Sequence, residues 1–335
     1  MSIVYRNVRE EPFEIFGLDD TAKDIFRRMP LEVAEKVSEP VKELHNFTTG
    51  GRIRFRTDSD KIWIRVKIGN GAPHTSTTTM MRAGFDLYMD TERSHKYLGI
   101  FYFDISMYKE YNTYVLNVPE GDKELTINMP LMAEVLSVEI GLEDTAKLEK
   151  HSPYIPMLPI VFYGSSITQG NCVSRPGLLY SSIISRKYNV DFKCLGFSGS
   201  CKAEPEMVEY LSGLEMSAFV SDYDYNAPTP EYLRETHYTM YQKIREKHPN
   251  IPYFMISKPN FKFEADDTER RCIIMESYIK AHNSGDKNVY FIDGSAIFNG
   301  VDIGECTMDG THPIDMGAER MAKYIGDVIA KVMML

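Results

Sequence analysis

The sequence predicts an α/β protein in which a parallel, three-layer domain follows an antiparallel β-sandwich of jelly-roll type. Residues from about 50 to 130 alternate apolar and polar side chains with a period of two, which is typical of antiparallel strands. Beyond about residue 152, apolar runs alternate with longer helical patterns. The length of 335 residues also exceeds the usual span of one compact domain. We therefore expect domains over residues 1–152 and 153–335.

The strands of the first half follow from short alternating runs. In RIRFR, Ile53 and Phe55 alternate with arginines, and KIWIRVKI places its aliphatic residues on one face. GFDLYM, YLGIFYF, TYVLNV and ELTINM continue the rhythm between turn-like stretches such as PEGDKE. One helical segment, PLEVAEKVSEPVKELHNF, precedes these runs, and Pro40 divides it.

The second half alternates strand and helix patterns. Five apolar runs, PIVFYG, FKCLGF, SAFVSDYD, PYFMIS and VYFIDG, are separated by helix-like stretches that include residues 230–247, 266–282 and 315–332. Such alternation predicts a parallel, doubly wound sheet with right-handed crossovers. Ligands of these sheets bind at the carboxyl ends of the strands, so the residues that follow each run are candidates for a site.

Composition limits the partners of the chain. The formal net charge of −10, with no cluster of Lys or Arg, argues against nucleic acid or an anionic membrane as a partner and favours a neutral or cationic substrate. Charges interrupt the N-terminal segment MSIVYRNVREEPFEIF and no later run reaches transmembrane length, so we expect a cytoplasmic protein. Five cysteines without a C-x-x-C pair favour reduced thiols, and neither a metal nor a cofactor is expected.

Two adjacent serines, Ser165 and Ser166, follow the first run of the second half in VFYGSSITQG. Five residues separate Gly164 from Gly170 and no lysine follows, so the turn is not a phosphate-binding P-loop. The G-x-S-x-G pattern of a nucleophile elbow is also absent, because threonine stands two residues after Ser166. A serine here is either a helix cap or a nucleophile.

A possible base for such a serine lies in MDGTHPIDMG, where Asp309 and His312 are three residues apart before the last helix. A nucleophilic serine needs an imidazole to take its proton, and that imidazole needs a carboxylate that holds its tautomer. The competing interpretations are an Asx turn at Asp309 and a surface histidine at His312.

Acyl transfer also needs donors for a developing oxyanion, and two further strand ends offer them. GFSGS contains Gly199, at which a backbone N–H could approach a ligand closely. SDYDYNAP contains Asn226, whose side-chain amide could donate to the same oxygen. A tight turn at Gly199 and an Asx turn before Pro228 are the competing interpretations.

Together these stretches resemble the sequence blocks of the SGNH (GDSL-type) hydrolases. GSSIT resembles the first block, G-D-S-[IL]-T, with Ser165 in place of the aspartate and Ser166 aligned with the nucleophile. GFSGS resembles the second block and aligns Gly199 with the oxyanion glycine, while DGTH resembles the final block and aligns Asp309 and His312. The resemblance spans the second half and implies a flavodoxin-like SGNH domain.

The third block departs from the family pattern. G-x-N-D is absent and DYDYNAP stands in its place, which leaves Asn226 as the candidate. In the first half, GFDLY at residues 84–88 resembles the G-x-D-L-Y signature of a β-sandwich found ahead of certain SGNH hydrolases. Relatives with this layout resemble carbohydrate O-acetylesterases, with the sandwich similar to a carbohydrate-binding jelly roll beside the active site.

The resemblance implies a serine esterase that removes acetyl groups from xylan- or mannan-type oligosaccharides through an acyl-enzyme. The implied residues are Ser166, Asp309 and His312 for catalysis, and Ser166, Gly199 and Asn226 for the oxyanion hole. Aromatic rings can stack on sugars, and we expect this of Phe197 and Tyr225 because they are adjacent to proposed site residues. An acyltransferase of the same fold is the alternative. A non-catalytic carbohydrate-binding protein is a third hypothesis, motivated by Ser165 and the irregular third block. We also expect a homo-oligomer.

Overall fold

Two antiparallel sheets form the first half of the chain in the computed structural model, which describes residues 2–19, 25–71, 77–91, 95–103, 109–156, 158–259 and 265–335. One sheet contains, in order, β1 (Ile3–Asn7), β9 (Ala133–Glu143), β4 (Lys61–Gly71) and β7 (Tyr111–Asn117). The other contains β10 (Leu148–Glu149), β3 (Arg52–Thr57), β8 (Lys123–Asn128), β5 (Phe85–Asp90) and β6 (His95–Phe101), and β2 (Glu14–Phe16) pairs with β3.

The two sheets share one apolar core. Alternate residues of β4, such as Ile62 and Ile64, are fully buried in the same cluster as Phe55 of β3 and Leu87 of β5. Full burial of one such side chain stabilises the fold by about 1.5–3 kcal/mol. The predicted antiparallel β-sandwich is confirmed, and its jelly-roll connectivity stays a prediction.

Strand β9 is missing from the sequence prediction because its alternation changes phase. Val135 is buried, but the next buried aliphatic residues are Val138 and Ile140, so one step along the strand spans three residues. The register between β4 and β9 shifts in the same region. An extra residue in one strand is a β-bulge, and it interrupts the period of two on which the prediction depends.

Among the described residues of the first half, three short helices accompany the sandwich, namely α1 (Leu31–Val37), α2 (Glu39–Leu44) and α3 (Thr79–Ala83). The first helical segment is divided, as predicted, but the division lies at Ser38 and not at Pro40. Ser38 ends α1 and caps α2, where its Oγ accepts the N–H of Val41 at 3.4 Å. Pro40 then lies in the first turn of α2, where a missing N–H costs little.

A five-stranded parallel sheet forms the second half, in the order β12 (Phe192–Gly196), β11 (Ile160–Gly164), β13 (Ala218–Asp222), β14 (Tyr253–Ile256) and β15 (Val289–Ile292). This 2-1-3-4-5 order is that of flavodoxin-like sheets, and it confirms the predicted fold class. The helices are α4 (Ser166–Gln169), α5 (Tyr180–Tyr188), α6 (Pro205–Ser212), α7 (Pro230–Lys247), α8 (Ala265–Asn283), α9 (Ile303–Cys306) and α10 (Asp315–Met333), with 3-10 turns at Pro176–Leu178, Asp224–Asn226 and Gly294–Ala296.

Helices cover both faces of this sheet and complete three layers. On the interior strand β11, Phe162 points to a core that it shares with α5 and α10, whereas Val161 and Tyr163 point to a second core with α6, α7 and α8. A parallel sheet buried on both faces requires such continuous apolar strands. Within the described ranges, no helix combines the length and the apolar character that crossing a bilayer requires.

Buried arginines connect the two halves of the chain. Arg52 of β3 is 2% exposed and forms an ion pair with Asp191, which immediately precedes β12. Arg28 has no exposed surface and donates from Nη1 to the carbonyl of Gly196, at the end of β12, at 2.6 Å. Burial lowers the pKa of Arg28 to about 10, so its guanidinium still carries a charge at neutral pH.

Candidate active site

Three loops leave the carboxyl edge of the sheet side by side. β11 lies between β12 and β13, and the last residues of the three strands, Gly164, Gly196 and Asp222, are in register. The N–H of Ser165 donates to the carbonyl of Asp222 at 3.1 Å, and the N–H of Phe197 donates to the carbonyl of Gly164 at 2.9 Å. The three sequence blocks at these strand ends are therefore neighbours in space.

The two adjacent serines have different surroundings. Ser165 is the N-cap of α4, and its Oγ accepts the N–H of Ile167 at 3.2 Å. Ser166 is the first residue of α4, and its Oγ lies 2.8 Å from Nε2 of His312. A helix cap and a candidate nucleophile thus stand next to each other, which accounts for both serines.

Asp309 determines the tautomer of His312. Its Oδ2 lies 2.7 Å from Nδ1 of His312, while its Oδ1 accepts the backbone N–H groups of Thr311 at 3.0 Å and His312 at 2.8 Å. A carboxylate only accepts hydrogen bonds, so Nδ1 carries the proton and Nε2 presents its lone pair to the hydroxyl of Ser166. The Asx turn and the orienting carboxylate are therefore the same feature.

The carboxyl group of Asp309 stays ionised at any ordinary pH. Partial burial acts to raise its pKa, but the hydrogen bonds from the backbone and ring of His312 and from Thr311 outweigh burial and lower the pKa to about 2. The side chain is 46% exposed, so solvent screens the pair and its contribution to stability is small. Its carboxylate is placed to orient the ring of His312 and to balance the charge of an imidazolium.

Gly199 occupies a turn that only glycine adopts easily. Its φ of +69° lies in the left-handed region, and within the described part of the chain no heavy atom lies within 4 Å of the position that a Cβ would take. The preceding N–H, of Ser198, donates to Oε1 of Gln169 at 2.8 Å and joins the turn to α4. The turn is thus tight and open on one side.

A hydrogen bond to its side-chain oxygen fixes the position of Asn226. Oδ1 accepts the N–H of Cys201 at 3.2 Å, which leaves the Nδ2 donors for another acceptor. Arg270 of α8 fixes the same loop, because its Nη1 donates to the carbonyls of Asp224 at 2.7 Å and Ala227 at 3.0 Å. The bond to Cys201 connects Asn226 with the turn that contains Gly199.

One expected sugar contact is wrong. Phe197 has no exposed surface, and the guanidinium of Arg28 lies 4.8 Å from the centre of its ring, so this ring packs in the core and cannot stack on a sugar. Tyr225 is half-buried, with Nζ of Lys258 at 4.7 Å from its ring centre. Stacking of a sugar on Tyr225 stays a prediction.

Asp222, at the end of β13, was missed by the sequence reasoning. It is 1% exposed, and Thr168 of α4 donates to its Oδ2 at 2.9 Å. Burial, reinforced by the nearby charge of Asp224, raises the pKa of Asp222 to about 8. Its position as the last residue of a buried run is the signal in the sequence that could have indicated it.

The raised pKa of Asp222 predicts a stability that falls as the pH rises. Between the unfolded pKa of 3.8 and the folded value of about 8, the native state holds more protons than the unfolded state, so each pH unit removes up to about 1.4 kcal/mol of stability. Asp222→Asn cannot titrate. Urea unfolding of both proteins from pH 5 to 8 should therefore show the variant gaining stability relative to wild type.

A matched control for this titration is Asp327→Asn. Asp327 is half exposed and its pKa is lowered by hydrogen bonds from Lys187 and Tyr188, so its titration is complete below pH 5. The control should follow the wild-type profile in parallel. Parallel profiles for Asp222→Asn and wild type would show instead that Asp222 is ionised in the folded protein.

The arrangement supplies a hydroxyl, a base and backbone donors at one edge of the sheet, which suits acyl transfer. Among the residues that the structure describes, no three His, Cys, Asp or Glu side chains are grouped to hold a metal ion.

Two family models match the chain. The model of the GDSL-like lipase/acylhydrolase family matches residues 157–330, which is more than half of the 335 residues. The model named for the GxDLY motif, described as the N-terminus of SGNH-hydrolase-type esterases, matches residues 3–148. No curated protein matches the chain.

Solved structures share the fold along the whole chain. A protein from Bacteroides ovatus described as a GDSL-like lipase is 28% identical, with 99% of this chain and 98% of that chain covered and a TM-score of 0.88. A salicylyl-acyltransferase from a tetracycline biosynthetic pathway is 20% identical over 99% and 98%, with a TM-score of 0.83. An acetyl xylan esterase from Butyrivibrio proteoclasticus is 12% identical over 98% and 99%, with a TM-score of 0.63.

Proposed function

The chain belongs to the GDSL-like lipase/acylhydrolase family and is an esterase, and from this premise we propose that it removes O-acetyl groups from carbohydrates such as xylan- or mannan-type oligosaccharides. The observation that carries the catalytic part is the continuous chain of hydrogen bonds from Ser166 through His312 to Asp309. The acetyl xylan esterase from Butyrivibrio, which shares the fold of both halves, supports the substrate class.

The first half-reaction forms an acyl-enzyme on Ser166. Its Oγ attacks the ester carbonyl while Nε2 of His312 takes the hydroxyl proton, and the resulting imidazolium is balanced by the carboxylate of Asp309. As the tetrahedral intermediate collapses, the imidazolium returns the proton to the departing sugar oxygen. The sugar leaves with its hydroxyl restored.

The second half-reaction regenerates the enzyme. Water takes the place of the sugar, His312 accepts one proton from it, and its oxygen attacks the acyl carbonyl. Collapse releases acetate and returns the proton to Oγ of Ser166. The tautomer that Asp309 maintains is the one required in both half-reactions, because Nε2 must be free to accept a proton in each of them.

Three donors are proposed to hold the oxyanion in both steps. The N–H of Ser166 is at the start of α4, where no intrahelical acceptor exists. The N–H of Gly199 and the Nδ2 group of Asn226 come from the two flanking strand ends. Fixed donors at this position stabilise the charge that develops in the transition state without any reorganisation.

Loss of the amide donor of Asn226 should slow catalysis. We expect Asn226→Asp to lower kcat by about 10²–10³-fold, because it retains an oxygen for the N–H of Cys201 but replaces the donor by a second oxygen. The measurement is kcat with p-nitrophenyl acetate, and thermal melting verifies the fold. Asn117→Ala, at an exposed position of β7, is the control. A kcat near that of wild type would remove Asn226 from the oxyanion hole.

The substrate class is tested by acetate release from acetylated xylan and mannan fragments, with p-nitrophenyl acetate and butyrate assayed in parallel. We expect release from at least one sugar, a preference for acetate over butyrate, and no release by Ser166→Ala. Hydrolysis of the p-nitrophenyl esters without any release from the sugars would contradict a carbohydrate substrate and leave an esterase of other specificity.

An acyltransferase is the second candidate, favoured by the similarity of both halves to the salicylyl-acyltransferase. In that reaction a hydroxyl compound replaces water in the second half-reaction and accepts the acyl group from Ser166. Assays that offer sugar acceptors together with the ester would distinguish the two, because transfer gives an acylated acceptor at the expense of free acetate.

A further inference from the structure

The GFDLY motif lies on β5 and the residue before it, and its side chains alternate between the two faces of the sheet. Phe85 and Leu87 are fully buried in the sandwich core. Asp86 and Tyr88 point to the opposite face, where they are 0% and 4% exposed and contact the second half of the chain. A buried carboxylate requires hydrogen-bond partners, so this face of β5 is built for a specific contact.

The contact is made with a short segment of the second half of the chain. The carboxylate of Asp86 accepts the N–H of Gly177 at 2.8 Å and Nδ2 of Asn128 at 2.8 Å, and Nε of Arg175 lies 3.4 Å from it. Nη2 of Arg175 also donates to the hydroxyl of Tyr88 at 3.1 Å. A Cβ on Gly177 would lie 2.5 Å from the ring of Tyr88, so the segment packs directly against the motif.

The other side of this segment reaches the catalytic residues. The N–H of Ser174 donates at 2.6 Å to Oδ1 of Asp315, the first residue of α10 and only three residues after His312. At its start, the N–H of Asn171 donates to the carbonyl of Ser166 at 3.0 Å. Residues 171–178 therefore extend from the nucleophile, past the start of α10, to the GFDLY motif.

We propose that Asp86 and Tyr88 are positioning residues for catalysis. They fix residues 174–178, and through the hydrogen bond between Ser174 and Asp315 they fix the turn that places His312 at Ser166. The inference rests on the proposed function, because it needs His312 as the base. A displacement of about 1 Å in such a group costs about 10²-fold in rate, so a remote contact of this kind affects turnover.

The first test compares kcat and KM of Asp86→Asn and Tyr88→Phe with wild type, using p-nitrophenyl acetate below the melting temperature of each protein. We expect kcat to fall by about tenfold to a hundredfold for Asp86→Asn, and by less for Tyr88→Phe, with KM within about twofold of wild type. Ile127→Val is the control, because Ile127 lies in the core of the same sheet. It should melt at a lower temperature with unchanged kcat.

A double-mutant cycle tests the route of the effect. If Asp86 acts through Asp315, the combination of Asp86→Asn with Asp315→Ala, which removes the acceptor of the Ser174 N–H, should lose less activity than the product of the two single losses. The combination of Ile127→Val with Asp315→Ala should show no such coupling. Multiplicative losses for Asp86 and Asp315 would overturn the proposed route.

Hydrogen exchange gives a readout that does not depend on turnover. Amides of residues 307–315 should exchange faster in Asp86→Asn and Tyr88→Phe than in wild type, and at the wild-type rate in Ile127→Val. Unchanged exchange there, or wild-type kcat in both variants, would overturn the inference. An inert wild type would contradict the proposed function instead, and exchange would still decide whether the motif positions the turn. If Asp86→Asn fails to fold, Tyr88→Phe carries both measurements.

Discussion

Ser166→Ala is expected to abolish ester hydrolysis, with kcat reduced by about 10⁴–10⁶-fold. The variant removes the hydroxyl oxygen that lies 2.8 Å from Nε2 of His312. Without this oxygen no acyl-enzyme can form at this position. The residue that remains cannot form a covalent intermediate. Steady-state hydrolysis of p-nitrophenyl acetate measures the loss, and labelling by a phosphonylating reagent followed by mass spectrometry identifies the modified serine.

The matched control is the neighbouring serine. Ser165→Ala removes a helix cap, so we expect it to lower stability by about 1 kcal/mol and to retain most of the hydrolysis. The reagent should label Ser166 in wild type and in Ser165→Ala, and neither serine in Ser166→Ala. Hydrolysis retained in Ser166→Ala, or labelling of Ser165 instead of Ser166 in wild type, would exclude Ser166 as the nucleophile.

Arg52→Met is expected to cost about 3–5 kcal/mol of unfolding free energy, a large part of the stability of most proteins. Arg52 is 2% exposed and is the ion-pair partner of Asp191, and it also donates to the carbonyl of Phe192 at 3.0 Å. Without the guanidinium, a buried carboxylate loses its cation, and burial already acts to raise the pKa of Asp191. Urea unfolding at neutral pH measures the difference.

The same strand provides a closely matched control in Arg56. It pairs with Asp122, but the two side chains are 44% and 46% exposed, so solvent screens the pair and Arg56→Met should cost far less than Arg52→Met. Replacing both partners, Arg52→Met with Asp191→Leu, should recover much of the loss because no bare charge then stays buried. Equal costs for the two single arginine variants would show that burial of the pair is not what makes Arg52 important.

Patterns that repeat along the chain were sufficient to predict the sheets and most of the longer helices. The helix expected at residues 230–247 is α7, and the five apolar runs are the five parallel strands, because burial on both faces leaves a continuous apolar signature. Strand β9 was not predicted, because a bulge after Val135 interrupts its period of two. Local sequence thus predicts regular elements and fails where the register is set by a neighbouring strand.

The site was predictable where chemistry demands residue types at strand ends, and unpredictable where tertiary burial decides. Ser166, His312 and Asp309 were found from their types and positions, and the structure brings them together. The core position of Phe197 could not be seen in the sequence, since an aromatic ring after a strand is equally suited to a core or to a surface. Nor could the sequence show that Asp86 reaches across to another part of the chain.

The buried guanidinium of Arg28 has a consequence for how this protein can evolve. Its guanidinium donates to three carbonyls in the described part of the chain, those of Cys194 and Gly196 in β12 and that of Leu44 at the end of α2. A charge inherited with one half thus satisfies two oxygens inherited with the other. A chimaera that joined the catalytic half to an unrelated partner would need a cation at the same place, or would leave those oxygens without donors. We therefore expect an exchange of the sandwich half to be tolerated only where the incoming half supplies such a cation.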